Sequence, residues 1–171
     1  NRTGLCSPSI TISGWFNTTS LNTNHAIIGN WWDGFGRIFI NSSNQLDWRW
    51  IQTSGISRAI ASTGQVTQAN AWYFFVATYD NTVTPNLATL SLYNATGTLL
   101  STNTNNTSVD IQRNVTAQST CTGSLSIGFT GEATVAYYFD GLIDDLRIYN
   151  RVLFPGEIQA LYSGGSGCIP Q

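Results

Sequence analysis

Lysine and methionine are both absent from the 171 residues, and histidine occurs once. Charged residues make up 9% of the chain, where an average globular protein carries about a quarter. Seven scattered arginines and nine acids leave a formal net charge of −2. No basic cluster is therefore available to nucleic acid phosphates or to an anionic bilayer. No stretch approaches the ~20 apolar residues of a membrane-spanning helix, so this segment does not insert directly into a membrane. The chain opens abruptly at Asn1, which leaves room for a leader, a first strand or an anchoring helix upstream.

Acid–base chemistry is equally thin. Sugar hydrolysis needs two carboxylates facing across a glycosidic bond. Only Glu132 and Glu157 are glutamates, the first in a loop and the second at a helix start. His25 has no nucleophile motif to serve and reads as structural. Neither a Gly-x-Ser-x-Gly turn nor a phosphate-cradling glycine loop occurs. These absences point away from an enzyme.

What remains is apolar and neutral-polar. The apolar fraction of 42% is enough for a core, and the length suits a single domain spanning 1–171. Asn, Ser and Thr supply the surface polarity. They create seven Asn-X-Ser/Thr sequons, at Asn1, Asn17, Asn41, Asn94, Asn105, Asn106 and Asn114. Such density fits an extracellular or cell-surface glycoprotein.

Short alternating runs separated by turn residues predict an all-β sandwich. Ser9–Asn17 reads as a strand with Ile10, Ile12 and Gly14 on one face. Arg37–Ile40 and Leu46–Gln52 flank Asn41-Ser-Ser-Asn44 as a hairpin. Trp72–Tyr79 is apolar on both faces and reads as a central strand. Ala88–Tyr93 and Thr98–Ser101 form a second hairpin, with Gly97 free to adopt positive φ. Leu125–Phe129 and Leu142–Tyr149 complete the set, and the polar stretch Thr102–Thr120 reads as a long loop. Leu153–Tyr162 is the exception. Pro155 and Glu157 suit a helix start, and Ile158 and Leu161 share a face. Residues 163–171 read as a flexible tail.

Six tryptophans offer two kinds of role. Trp48 and Trp50 share a face with Leu46 and read as core, which turns Asp47 and Arg49 to the opposite, exposed face. Trp31 and Trp32 fall instead in Gly29-Asn-Trp-Trp-Asp-Gly-Phe-Gly36, a glycine-bracketed stretch that reads as a loop. Aromatic faces stack on pyranose C–H groups, and hydroxyls need planar polar partners. Trp31, Trp32, Asp33, Phe35, Arg37, Asp47 and Arg49 are therefore the candidate glycan-binding set. A subunit contact built from the same aromatics is the rival reading.

Four segments, in order, resemble the laminin-G-like jelly-roll family of the concanavalin A-like lectins and glucanases. They are Thr11-Ile-Ser-Gly-Trp-Phe16, Trp72-Tyr-Phe-Phe-Val-Ala-Thr-Tyr-Asp80, Leu90-Ser-Leu-Tyr93 with Gly97, and Phe139-Asp-Gly-Leu-Ile-Asp-Asp-Leu-Arg-Ile-Tyr-Asn-Arg-Val-Leu153 followed by Glu157-Ile158. The resemblance implies a two-sheet antiparallel jelly-roll sandwich with one short C-terminal helix, and packed positions for Trp15 and Trp72. It also implies a structural calcium ion near the closing strand, with Asp140, Asp144 and Asp145 as candidate ligands. Alternation places Asp144 on the core side with Leu146 and Ile148. Without a metal, Asp144 would accept main-chain hydrogen bonds and Asp145 would pair with Arg147. The family's Ser or Thr before the closing helix is replaced by Phe154, a lost cap. In a jelly roll, whose ends run close together, Cys6 and Cys168 are the favoured disulfide, with Cys121–Cys168 the alternative. A leftover thiol could join another chain.

The function expected is a non-enzymatic recognition module that binds a glycan or another cell-surface ligand in adhesion. The alternative is a structural subunit of a surface filament or coat, in which the chain forms a homo-oligomer.

Overall fold

The computed structural model describes residues 9–30, 36–51, 57–107, 125–131 and 136–164. Among these described residues twelve strands and one helix follow in chain order: β1 (Ile10–Thr18), β2 (His25–Asn30), β3 (Gly36–Ile40), β4 (Gln45–Ile51), β5 (Ser57–Gln65), β6 (Tyr73–Asp80), β7 (Asn86–Asn94), β8 (Leu99–Thr107), β9 (Ser126–Ile127), β10 (Phe129–Gly131), β11 (Ala136–Tyr138), β12 (Gly141–Tyr149) and α1 (Pro155–Gly164). The back sheet has the order β12-β1-β6-β7-β8, and the front sheet β5-β4-β3-β2-β9. All their pairings are antiparallel. The hairpin β10–β11 stands as a separate two-stranded unit. This is the two-sheet jelly-roll sandwich that the sequence predicts.

One core lies between the sheets. β1 contributes Ile10, Ile12 and Phe16, while β6 contributes Tyr73, Phe75, Ala77 and Tyr79. The front sheet answers with Ile28, Ile38, Ile40, Leu46, Trp48 and Ile60. Each fully buried large side chain contributes about 1.5–3 kcal/mol. Gly14 occupies an inward position of β1 because a Cβ there would stand 2.9 Å from Leu146 Cδ1. β6 is central, as its two-sided apolarity predicts. Its other face carries Phe74 and Val76, which pack with Trp15 against Ile158, Leu161 and Tyr162 of α1. Trp15 and Trp72 are thus packed, but under the helix rather than between the sheets.

Three local expectations are corrected. β8 continues to Thr107, well into the polar stretch expected to be a loop. It is an edge strand beside β7, so backbone pairing outweighs its polar side chains. Gly29, Asn30 and Gly36, expected in a loop, belong instead to β2 and β3, and the rest of that stretch, 31–35, lies outside the described residues. Asp144 stands opposite Trp15 and is exposed rather than core-facing. The β1–β12 register shifts between Ser13 and Trp15, and Asp145 takes φ 46. One extra residue in β12 turns Asp144 outward, while Ile143, Leu146 and Ile148 stay on the core.

The helix start replaces its lost cap. Glu157 Oε2 accepts the Phe154 N–H at 2.9 Å, which is the return arm of a capping box. Arg151 grips the same carboxylate with both terminal nitrogens, Nη1 to Oε2 at 2.7 Å and Nη2 to Oε1 at 2.6 Å. Thr11 then fastens the segment to β1: its hydroxyl donates to the Arg151 carbonyl and accepts the Leu153 N–H.

Candidate functional site

The outer face of the front sheet gathers the chemistry. Period-two alternation sends Ile38, Ile40, Leu46 and Trp48 to the core, so Arg37, Phe39, Asp47 and Arg49 face outward. Register sets Arg37 opposite Arg49 and Phe39 opposite Asp47. Both guanidinium carbons lie over the Phe39 ring, at 4.7 Å for Arg37 and 4.9 Å for Arg49. Such contacts are worth about 0.5–1 kcal/mol when exposed and more when desolvated.

This face is not open along its whole length. The β10–β11 hairpin lies against β2 and lowers Tyr137 onto Phe39, with rings 6.1 Å apart and 4° from parallel. Arg37 lies under the same ring at 5.4 Å. Gly29 lets the hairpin sit this close, because a Cβ there would collide with the Thr130 side chain. Arg37 is therefore 3% exposed and Asp47 2% exposed. The expectation that Asp47 lines an exposed face is corrected: it points to that face but is buried there.

Arg49 remains reachable, with 39% of its side chain exposed. Its Nε and Nη2 both donate to Asp47 Oδ2, at 3.2 and 2.8 Å. The buried carboxylate thus holds the guanidinium plane still and leaves Nη1 without a partner among the described residues. Asp47 Oδ1 and Thr130 Oγ1 are also buried without partners there. A pinned, half-exposed guanidinium beside aromatic rings can donate to sugar or carboxylate oxygens at low entropic cost.

Of the candidate glycan-binding set, Arg37, Asp47 and Arg49 come together. Trp31, Trp32, Asp33 and Phe35 lie outside the described residues, as does the side chain of Trp50. Their stretch runs directly into Gly36 and Arg37, at the end of β3 that leads into this cluster. Phe39 and Tyr137 were missed. Phe39 was within reach of the same alternation, whereas Tyr137 arrives through a tertiary contact that no local spacing reveals.

The three calcium candidates do not converge. The Asp140 carbonyl accepts the Thr19 N–H, and its carboxylate accepts from Ser20. Asp144 Oδ1 accepts the Asp145 N–H at 2.8 Å. Asp145 pairs with Arg147 Nε at 2.7 Å. Among the described residues no three such side chains cluster to hold a metal ion. The Asp145–Arg147 pair and the main-chain hydrogen bond to Asp144 that the sequence suggests are both present.

His25 is structural. It is buried, and its Nε2 lies 3.0 Å from the Ser20 carbonyl and 3.2 Å from Thr18 Oγ1. Desolvation lowers its pKa, outweighing the opposing pull of the Ser20 carbonyl and Asp140. Cys6, Cys121, Cys168, Asn1, Asn114 and Glu132 lie outside the described residues. Among the described residues no helix is long and apolar enough to cross a membrane.

No curated protein sequence matches the chain. Among solved structures, the CBM40 of the Ruminococcus gnavus IT-sialidase, bound to α2,3-sialyllactose, superposes with a TM-score of 0.64 at 19% identity. The alignment covers 91% of this chain and 83% of that one. A candidate carbohydrate-binding protein of Bacteroides ovatus ATCC 8483 gives 0.61 at 17% identity, over 91% of this chain and 40% of that one. The receptor binding domain of botulinum neurotoxin mosaic serotype C/D gives 0.57 at 14% identity, over 96% of this chain. The chain spans only 38% of that receptor binding domain. At these identities the likeness shows the fold. The model of the concanavalin A-like lectin/glucanases superfamily matches residues 1–159, and the chain belongs to that superfamily.

Proposed function

We propose that this chain is a non-catalytic extracellular or cell-surface module that binds glycans on the outer face of its front sheet, beside the 31–35 connection. Arg49 carries the reading: a half-exposed guanidinium, held by buried Asp47 and backed by Phe39, with a donor edge left over. Trp31, Trp32 and Phe35 would supply the stacking surface and Asp33 a hydroxyl acceptor. The sialyllactose-bound CBM40 supports the ligand class. Glu157 is committed to Arg151 and the helix start, which supports a binding rather than a hydrolytic role.

A glycan-array screen, run with calcium and again with a chelator, tests the reading. Binding that survives the chelator and is weakened roughly tenfold or more by Arg49→Ala is expected. No retention on any glycan, or release of reducing ends from one, would overturn it.

A specific observation favours a second reading, the surface filament or coat subunit. Ile127 and Leu142 are 58% and 60% exposed, on β9 and β12, the edge strands of the two sheets among the described residues. Concentration-dependent self-association in gel filtration would support it.

A further inference from the structure

Two hairpin turns share one side-chain device. Asn41 opens the β3–β4 turn, and its Oδ1 accepts the N–H of Ser43 at 2.9 Å and of Gln45 at 3.0 Å. Asn94 opens the β7–β8 turn, and its Oδ1 accepts the N–H of Thr96 at 3.0 Å and of Thr98 at 2.9 Å. Thr96 Oγ1 adds a third bond to the same oxygen at 2.8 Å. The primary amide is planar, so drawing Oδ1 into the turn directs Nδ2 away from it. Neither Nδ2 has an acceptor among the described residues. Both asparagines begin an Asn-X-Ser/Thr sequon, and the two residues after each Asn, and before Gly97 in the second turn, are exposed.

Asn105 presents the opposite case. On β8 it pairs with Ala88 of β7, on the side where Leu90 and Leu92 are fully buried. Opposed residues of an antiparallel pair project to the same face. The Asn105 side chain is thus on the core side of β8, where β5 packs across from the front sheet. Asn105 is part-exposed, as Asn41 and Asn94 are, but its sequon lies within the β7–β8 pairing, with Thr107 held opposite Asn86, rather than in a turn.

We propose that Asn41 and Asn94 are the acceptors of N-linked glycans in the folded protein, and that Asn105 is not one. The donor is a lipid-linked oligosaccharyl diphosphate. Nδ2 bonds to the sugar C1 and loses a proton to the transferase's base. The bond from C1 to the phosphate oxygen breaks, and the lipid diphosphate leaves.

Both turns lie at one end of the sandwich. Asn44 of the first turn binds Asn22 and the Val66 N–H. The Asn70 N–H binds the Thr18 carbonyl, and the Thr19 N–H binds the Asp140 carbonyl. Asn94 is paired to Tyr73, whose hydroxyl accepts the N–H groups of Thr67 and Gln68 from that same end. The β2–β3 and β4–β5 connections leave from the other end of the front sheet. The glycans would therefore sit away from residues 31–35. The proposal itself does not depend on the glycan-binding reading.

The test is secretion of the full chain from a eukaryotic host, followed by isolation of the monodisperse folded fraction. Enzymatic release of N-glycans in heavy-oxygen water then marks each occupied asparagine as a labelled aspartate in peptide mass maps. Label at Asn41 and Asn94 with Asn105 unlabelled is expected. The variant Asn41→Gln/Asn94→Gln should lose the matching glycan mass, while Thr96→Ser should retain label at Asn94. Label at Asn105 equal to that at Asn41 and Asn94 would overturn the proposal, and so would a folded fraction with neither turn labelled.

Discussion

Arg37 and Arg49 face each other across β3 and β4, and both guanidinium groups rest on the ring of Phe39. One is sealed beneath the β10–β11 hairpin and the other is half-exposed. Arg49→Ala is expected to weaken glycan binding roughly tenfold or more, in line with loss of a charge-assisted hydrogen bond. Its melting temperature should fall as well, because the buried Asp47 carboxylate is left without its cation. Titration calorimetry beside a thermal melt measures both, and unchanged affinity would remove Arg49 from the site.

Below neutrality His25 should set a slope in stability. Burial lowers its pKa below the ordinary 6.5. The unfolded chain therefore takes up a proton near pH 6.5 that the folded chain refuses, and stability falls as pH drops below that value. In denaturant titrations between about pH 7 and about pH 5, His25→Gln should flatten this dependence. An identical slope in the variant would assign it to other groups.

Glu157 acts at lower pH. The Arg151 guanidinium, aided by the Phe154 N–H, holds its pKa down to about 2 from an ordinary 4.5. Its contribution is complete above 4.5 and is lost as pH falls toward about 2. Glu157→Gln should melt below the wild type at neutral pH and converge with it in strong acid. A constant gap down to that acid limit would contradict the pairing.

Gly141 has φ +146, and a Cβ there would run into the Asn17 carbonyl and Thr18 backbone. Gly141→Ala should cost about 2–3 kcal/mol in chemical denaturation, since backbone cannot yield as a flexible side chain can. Gly156→Ala, with nothing within 4 Å of its Cβ, is the matched control and should be near neutral.

Alternation made much of this architecture legible. Ile10, Ile12 and Gly14, or Leu46 with Trp48, declare their face through a spacing of two, and the same count turns Asp47 and Arg49 outward. The count fails where the backbone adds a residue. A register shift between Ala26 and Ile28 lets Ala26, Ile27 and Ile28 all be buried, so β2 shows no alternation to read. The extra residue at Asp145 moved Asp144 to the wrong face in the same way. β8 hid for another reason, because Thr102–Thr107 forms strand through backbone pairing at an edge. The site was legible on β3 and β4 but not in its cover, since Tyr137 reaches Phe39 only through long-range packing.

Trp48 and Arg49 are neighbours in sequence, yet they answer to different demands. Trp48 is fully buried between the sheets, where truncation to alanine would cost about 3–5 kcal/mol. Arg49 meets solvent on the far side of the same strand. A lineage could therefore exchange residue 49 and its outward neighbours for a new ligand while the inward residues stay fixed, so that specificity diverges on an unchanged scaffold.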